Sequence, residues 1–210
     1  MIRMLIADDH AILRKGLIEI LMRDVPTAVC GEAEDANTLL AQVRSHDWDL
    51  VILDITMPGR SGLDALRDLK RLRPKLPVLV LSMHPEDPYG GMVLKAGASG
   101  YMNKECAPKD LIGAIHKVLA GGRYMSPTLA ERLALNALDD SDRPLHETLS
   151  SREFEVLRMI TEGKSVGRIA EELHLSVTTV STHRVHILEK MRMTTNSELM
   201  HYGLRNHLVP

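Results

Sequence analysis

Four apolar residues, Leu50 to Leu53, run straight into Asp54 and shortly afterwards into a Pro58-Gly59 turn. A continuous apolar run of this length, two of its members β-branched, suits a strand buried on both faces, as in a parallel sheet covered by helices. Asp54 is then delivered to the strand's C-terminal end, the edge at which open α/β sheets hold ligands and do chemistry. Taken alone, an aspartate after a strand is equally a turn or capping residue. What its neighbours in the fold carry decides between the two.

The flanking segments repeat the arrangement. Ile2 to Ala7 is a short apolar strand followed at once by Asp8-Asp9-His10, and Ala11 to Arg23 places Ile12, Leu13, Leu17, Ile20 and Leu21 at helical spacing. Ala28 to Ala33 predicts a second strand, and 36–43 the next helix. Gly62 to Leu72 is an amphipathic helix closed by Pro74, and Pro77 to Leu81 a strand ending in Ser82. A helix over 92–96 stops at Gly97, a strand over 100–102 leads to Lys104, and a helix over 108–120 opens on Pro108 and closes on Gly121-Gly122. Strands alternating with helices predict an α/β five-stranded doubly wound parallel sheet.

Composition narrows the remaining classes. A length of 210 residues with 44% hydrophobic and 26% charged side chains is that of a folded chain with room for two cores. A net charge of −2 gives no overall pull toward nucleic acid, so any such site must be local. Cys30 and Cys106 are too few and too scattered for a disulfide framework or a metal knuckle. The N-terminal apolar run ends at Asp8, so neither a signal peptide nor a spanning segment is expected, and the reading is cytoplasmic with no membrane partner.

In a parallel sheet the strand ends share one edge, which gathers Asp8-Asp9, Asp54, Ser82 and Lys104. Three carboxylates that close repel one another unless a cation sits among them. A hard, oxygen-ligated Mg²⁺ fits, and leaves positions open for phosphate oxygens. A carboxylate can act as a nucleophile and become an aspartyl phosphate, with the metal, Lys104 and the Ser82 hydroxyl stabilising the phosphoryl oxygens.

With these residues in order, followed by Met57-Pro58-Gly59 and Gly62, residues 1–122 resemble the flavodoxin-like receiver domain of two-component response regulators. The resemblance implies Asp8 and Asp9 as the acidic metal pair, Asp54 as phospho-acceptor, Ser82 as switch hydroxyl, Tyr101 as switch aromatic and Lys104 as phosphate-binding lysine. It implies the backbone carbonyl of Thr56 as a third metal ligand, and places Thr56 and His84 where receivers tune the lifetime of the aspartyl phosphate; His84 serves equally as a solvent-facing loop residue. Glu105 follows Lys104 where many receivers carry a proline in cis, so no cis bond is expected there. Gly90-Gly91 at the start of the fourth helix costs about 1 kcal/mol per glycine against alanine within a helix, which fits either a helix that shifts easily or a loop extension.

Residues 123–148 change character. Ser126-Pro127 caps a helix over 128–138, and Asp139-Asp140-Ser141-Asp142-Arg143-Pro144 is a linker by composition. From 149 to 210 the pattern is all-α with four helices: one capped by Ser150 or Ser151, a short one over 166–173, a turn at Leu175-Ser176, a longer one over 177–191 and a last one over 196–206. A short helix, a tight turn and a longer helix make a helix-turn-helix, whose second member enters the major groove. On that second member Val180, Ile187, Leu188 and Met191 share the core face. Thr178, Ser181, Thr182 and Val185 share the exposed one, where small hydroxyls and a valine suit base edges and thymine methyls, or an ordinary solvated face. Lys164, Arg168, Arg184, Lys190 and Arg192 flank it as candidate phosphate contacts. His183 reads as a packed structural histidine.

The run Leu149 to Leu157, then Gly163-Lys164-Ser165, Ile169-Ala170, Leu175-Ser176, Thr179-Val180, His183 and Lys190-Met191, resembles the LuxR-type helix-turn-helix, and the whole chain a NarL/FixJ-type response regulator. Many relatives have lysine where this chain has Ser181. The resemblance implies Thr179 among the DNA-facing residues, a histidine kinase as phosphoryl donor, double-stranded DNA as target, no turnover enzyme, and a homodimer through 197–207, although Met200, Leu204 and Leu208 serve equally as core. Two other readings are weighed. An Asp-nucleophile phosphatase typically has a second aspartate where this chain has Thr56; a regulator controlled by partner binding or dimerisation would leave the same pocket unused.

Overall fold

The computed structural model describes residues 1–57, 62–83, 86–105, 108–138, 144–206 and 208–209. The first half alternates as β1 (Ile2–Ala7), α1 (Ala11–Asp24), β2 (Ala28–Ala33), α2 (Ala36–Ser45), β3 (Leu50–Asp54), α3 (Gly62–Leu72), β4 (Val78–Ser82), α4 (Glu86–Lys95), β5 (Gly100–Asn103) and α5 (Pro108–Leu119). The sheet is five-stranded and parallel in the order β2-β1-β3-β4-β5. The order reverses between β1 and β3, so the crevice that receives ligands in such sheets opens beyond their C-terminal ends. Register finishes the placement: Ala7 lies beside Leu53, Asp54 beside Leu81 and Ser82 beside Asn103, which brings Asp8, Asp54 and Ser82 to one edge.

Burial explains the continuous apolar runs. Every residue of β3 and β4 is buried, because helices cover both faces. On one face Met4, Ile6, Leu50, Ile52, Leu79 and Leu81 pack with Leu17 and Leu21 of α1 and with Leu111, Ile115 and Val118 of α5. The buried stripes of α2 (Leu39, Leu40, Val43) and α3 (Leu63, Leu66, Leu69) pack on the sheet as well. Among the described residues no helix is long and apolar enough to cross a membrane.

The fourth helix differs from the expected one. It begins at Glu86, so Gly90 and Gly91 lie in its middle rather than at its start. The reason is a neighbour far along the chain: α6 (Pro127–Leu138) brings Leu129 so close that a Cβ at Gly90 would sit 2.5 Å from its Cδ2. Ser126 caps α6 through Leu129 N at 3.0 Å, and its own amide donates to Glu86 Oε1 at 3.0 Å. The compact unit containing the sheet therefore runs Met1–Ala134, past residue 122, with Tyr124 tied to β5 through Tyr101 N→Tyr124 O at 3.0 Å. The Asp139 to Arg143 linker segment lies outside the described residues.

The second unit, Leu135–Pro210, contains a 3-10 turn (Leu145–Thr148), α7 (Ser151–Thr161), α8 (Val166–Glu172), α9 (Val177–Lys190) and α10 (Asn196–Arg205). Ser150, Ser165, Ser176 and Thr195 each cap a helix, and the capping boxes at Ser150/Glu153 and Thr195/Glu198 satisfy amide groups in both directions. The core joins Phe154, Val156, Leu157, Ile160, Ile169, Val180, Ile187, Met191 and Leu199. Gly203 in α10 has no signal in the helical pattern, yet a Cβ there would collide with Thr161 Oγ1 and lie 2.5 Å from its Cγ2. Thr161 is β-branched, buried and bonded to Leu157 O at 3.0 Å, so it cannot swing away. Gly203→Ala should therefore destabilise this unit by about 1–3 kcal/mol, read as a lower urea midpoint with unchanged slope, although alanine is the better helix former; an unchanged or raised midpoint would show the α7–α10 contact to be loose.

Candidate functional site

The edge beyond β1, β3 and β5 gathers the charged groups expected there. Lys104 Nζ lies 2.6 Å from Asp54 Oδ2 and 2.6 Å from Asp8 Oδ2, and all three side chains are at most 4% exposed. Asp54 Oδ1 accepts from Thr56 N at 2.9 Å, so both oxygens of this carboxylate are engaged. Burial pushes the Asp54 carboxyl above the usual carboxylate range; Lys104 and the Thr56 amide oppose the shift, and the Asp8 charge adds to it. Burial opposes the Lys104 ammonium in turn, but the Asp54 and Asp8 carboxylates more than offset it and hold its pKa above the ordinary lysine value.

A cation fits among these groups. Asp8, Asp9, His10 and Asp54 each offer a ligand atom, all within 4.8 Å of one another, so the residues present can hold a metal ion. Asp9 Oδ1 supports the fit: it is buried and makes no hydrogen bond, its near neighbour being the His10 ring. His10, which the pattern of strand ends missed, belongs to the cluster: its Nδ1 lies 2.9 Å from Asp9 Oδ1 and 3.3 Å from Asp8 Oδ1. Its place directly after Asp8-Asp9, at the N-cap of α1, is the signal that would have found it.

The remaining pocket residues fall as follows. Ser82 is fully buried at the end of β4 and shares a hydrogen bond with the Tyr101 phenol, whose pKa is raised by burial. Tyr101 is 1% exposed, so the aromatic expected to turn inward is already inside in this structure. Thr56 is exposed beside Asp54. His84, proposed from the sequence to tune phosphate lifetime, and Pro58-Gly59 lie outside the described residues.

On α9, Thr178, Thr179, Ser181, Thr182 and Val185 are all exposed, while Val180 and Ile187 are fully buried. Four of the flanking cations, Lys164, Arg168, Arg184 and Lys190, hold partners within the domain. Lys190 Nζ lies 2.6 and 2.9 Å from the two oxygens of buried Glu153, Lys164 Nζ 2.6 Å from Glu172 and 3.0 Å from Glu162, and Arg184 Nε bonds Asn196 Oδ1. Burial pulls Glu153 upward, but Lys190 and the Ser150 cap outweigh it and hold its carboxyl below the usual range. His183 is half-buried, and burial lowers its pKa, as suits a packed histidine.

The chain's similarities agree with this geometry. Residues 4–116 match the response regulator receiver domain family, and 147–203 the luxR family of bacterial regulatory proteins. Response regulator UvrY of Escherichia coli K12 is 34% identical over 209 residues, covering 99% of this chain and 96% of that protein. Response regulator GacA of Pseudomonas aeruginosa is 36% identical over 211 residues, covering 100% and 98%. RcsB from Salmonella enterica serovar Typhimurium, solved bound to promoter rprA in the presence of the phosphomimetic BeF₃⁻, superposes with a TM-score of 0.64 at 29% identity, covering 96% of this chain and 98% of that one. The carboxylate-lysine edge of the first unit and the helix-turn-helix of the second thus stand in one regulatory design, and the chain belongs to the response regulators that join a receiver domain to a luxR-family DNA-binding domain.

Proposed function

We propose that this response regulator is switched by phosphorylation of Asp54, with residues 1–122 receiving the phosphoryl group, 123–148 connecting and 149–210 binding double-stranded DNA as a homodimer in the cytoplasm. The observation that carries it is the Asp54 carboxylate, buried at the switch-point edge with Lys104 2.6 Å away. A cognate histidine kinase supplies the phosphoryl group: an Asp54 oxygen attacks phosphorus, the bond from phosphorus to the kinase imidazole nitrogen breaks, and the electron pair leaves with that imidazole.

Asp8, Asp9, Asp54 and the Thr56 carbonyl would hold Mg²⁺, which when bound neutralises charge on the phosphoryl oxygens. Lys104 stays with the phosphorylated side chain and exchanges its contact with Asp54 Oδ2 for a phosphoryl oxygen. Ser82 lies fully buried at the adjacent strand end, so drawing its hydroxyl to the phosphoryl group breaks the bond it shares with Tyr101. Glu86, which holds the Ser126 amide, opens the helix following β4, so rearrangement there bears directly on the start of α6. Ligand binding then biases a pre-existing equilibrium.

The test compares wild type with Asp54→Ala, each with and without Mg²⁺ and beryllofluoride, by DNA affinity and by oligomeric state. Tighter DNA binding or dimerisation in wild type alone is expected. Equal DNA binding by both proteins under all conditions would instead assign the first domain to phosphorylation-independent partner binding or dimerisation.

A further inference from the structure

We infer that α9 reads its operator chiefly through thymine C5-methyl groups, contacted by Val177, Thr182 and Val185, rather than by donating hydrogen bonds to guanine. The inference rests on the DNA-binding reading above and names the base chemistry it implies. Val177 is 57% and Val185 47% exposed, which is unusual for valines on a helix whose other face is fully buried. They stand eight residues apart, about 12 Å along the axis, with Ser181 midway and Thr178 and Thr182 on the adjoining row. That length spans three to four base steps at about 3.4 Å each.

Two hydroxyls at the centre of this face, Ser181 and Thr182, have committed their protons to the helix backbone. Ser181 Oγ donates to Val177 O at 2.9 Å and Thr182 Oγ1 to Thr178 O at 3.0 Å. Ser176 and Thr179 share a hydrogen bond at 2.8 Å, and Ser176 also accepts from Thr179 N at 3.0 Å. What Ser181 and Thr182 present outward is oxygen lone pairs and, for Thr182, a methyl. Guanine offers the major groove two acceptors and so needs a donor; adenine offers an amino donor and thymine a methyl. Arg184, the stretch's arginine, is half-buried and bonded to Asn196 Oδ1, while Lys190 sits on Glu153. From Ser181 to Val185 the face therefore favours A·T pairs through methyl contact, which supplies the discrimination, since the Ser181 oxygen can accept from the adenine or the cytosine amino group alike.

The experiment selects duplexes from a random library with the full-length protein, then replaces thymine by deoxyuracil in the selected site, which removes methyls without altering pairing. Each contacted methyl should be worth about fourfold in affinity, so uracil at three contacted positions should weaken binding more than tenfold. Val185→Ala, at an exposed position that leaves the core intact, should bind the thymine duplex more weakly and lose the thymine-to-uracil difference at one position. Ser181→Lys should shift the selected site toward guanine. A selected site that binds equally well with uracil, or one built on guanine runs, would overturn the inference while leaving the DNA-binding reading intact. Binding with no sequence enrichment, uniformly weakened by salt, would overturn the inference alone, and no binding to any duplex would overturn both.

Discussion

Replacing Lys104 by alanine should cost the receiver domain about 3–5 kcal/mol in the absence of divalent metal, the loss associated with removing one partner of a buried ion pair. Lys104 Nζ stands 2.6 Å from Asp8 Oδ2 and 2.6 Å from Asp54 Oδ2, and the two carboxylates are at most 3% exposed. Without the ammonium they face each other in a site that excludes the water that would screen them. The melting temperature of the domain should fall by roughly 10 °C or more.

The dependence on pH follows from the same geometry. Burial already raises the Asp54 pKa with Lys104 in place, so the folded state holds that proton more tightly than the unfolded chain does. Stability tied to Asp54 is therefore fully present below the ordinary carboxylate value and declines as pH rises through the raised one. In Lys104→Ala the opposing pull of the ammonium is gone, so the decline should be steeper and reach further toward neutral pH. Lys104 contributes in its own range: its raised pKa gives wild type stability that is complete below the ordinary lysine value and lost as pH climbs through the folded one. Mg²⁺ should restore more stability to the variant than it adds to wild type, because in the variant it replaces the charge that Lys104 placed between the two carboxylates. Urea unfolding at several pH values, with and without Mg²⁺, checks all three points. A loss below 1 kcal/mol with no added response to Mg²⁺ would show that Asp8 and Asp54 do not depend on Lys104 for charge balance.

The positions of Asp8, Asp54 and Ser82 were legible because they follow from counting strands: each closes an apolar run, and parallel strands end together. The cap at Ser126 was equally legible, and that of α7 was narrowed to Ser150 or Ser151, since a capping bond spans only a few residues. What the sequence concealed depends on distant neighbours. Gly90 and Gly91 look like a helix start until Leu129 is seen packed against the helix, and Gly203 looks like a weak helix position until Thr161 is seen against it. Lys190 reads as a phosphate contact by its place after α9's exposed face, but Glu153, far back in the chain and within a capping box, holds it. Tyr101 was singled out by the resemblance to receiver domains, which leaves open its rotamer, here set with its bond to Ser82.

Gly62 shows how such concealed packing bears on the chemistry. A Cβ there would collide with the Cα of Ile55, 2.6 Å from the carbonyl oxygen of Asp54 and 2.9 Å from the carbonyl carbon of Ile55. All three are backbone atoms, so no rotamer change relieves the contact. Asp54 is held in register beside Leu81, and Ile55 is buried, so the added methyl must push α3 outward or tilt the end of β3. Gly62→Ala is therefore expected to cost about 2–3 kcal/mol, at the upper end for overpacking. Because the atoms displaced carry Asp54, the proposed phospho-acceptor, and a shift near 1 Å in a reacting group can cost about a hundredfold, self-phosphorylation from a small-molecule phosphodonor should slow at least tenfold. The matched control is Gly113→Ala in α5, where a Cβ meets nothing within 4 Å and the better helix former should add about 0.5–1 kcal/mol with an unchanged phosphorylation rate. Loss of rate with loss of stability at Gly62, and neither at Gly113, would tie acceptor placement to the missing side chain. A Gly62→Ala protein as stable and as readily phosphorylated as wild type would mean that the β3–α3 connection yields without moving Asp54, and that some other contact sets the position of its carboxylate.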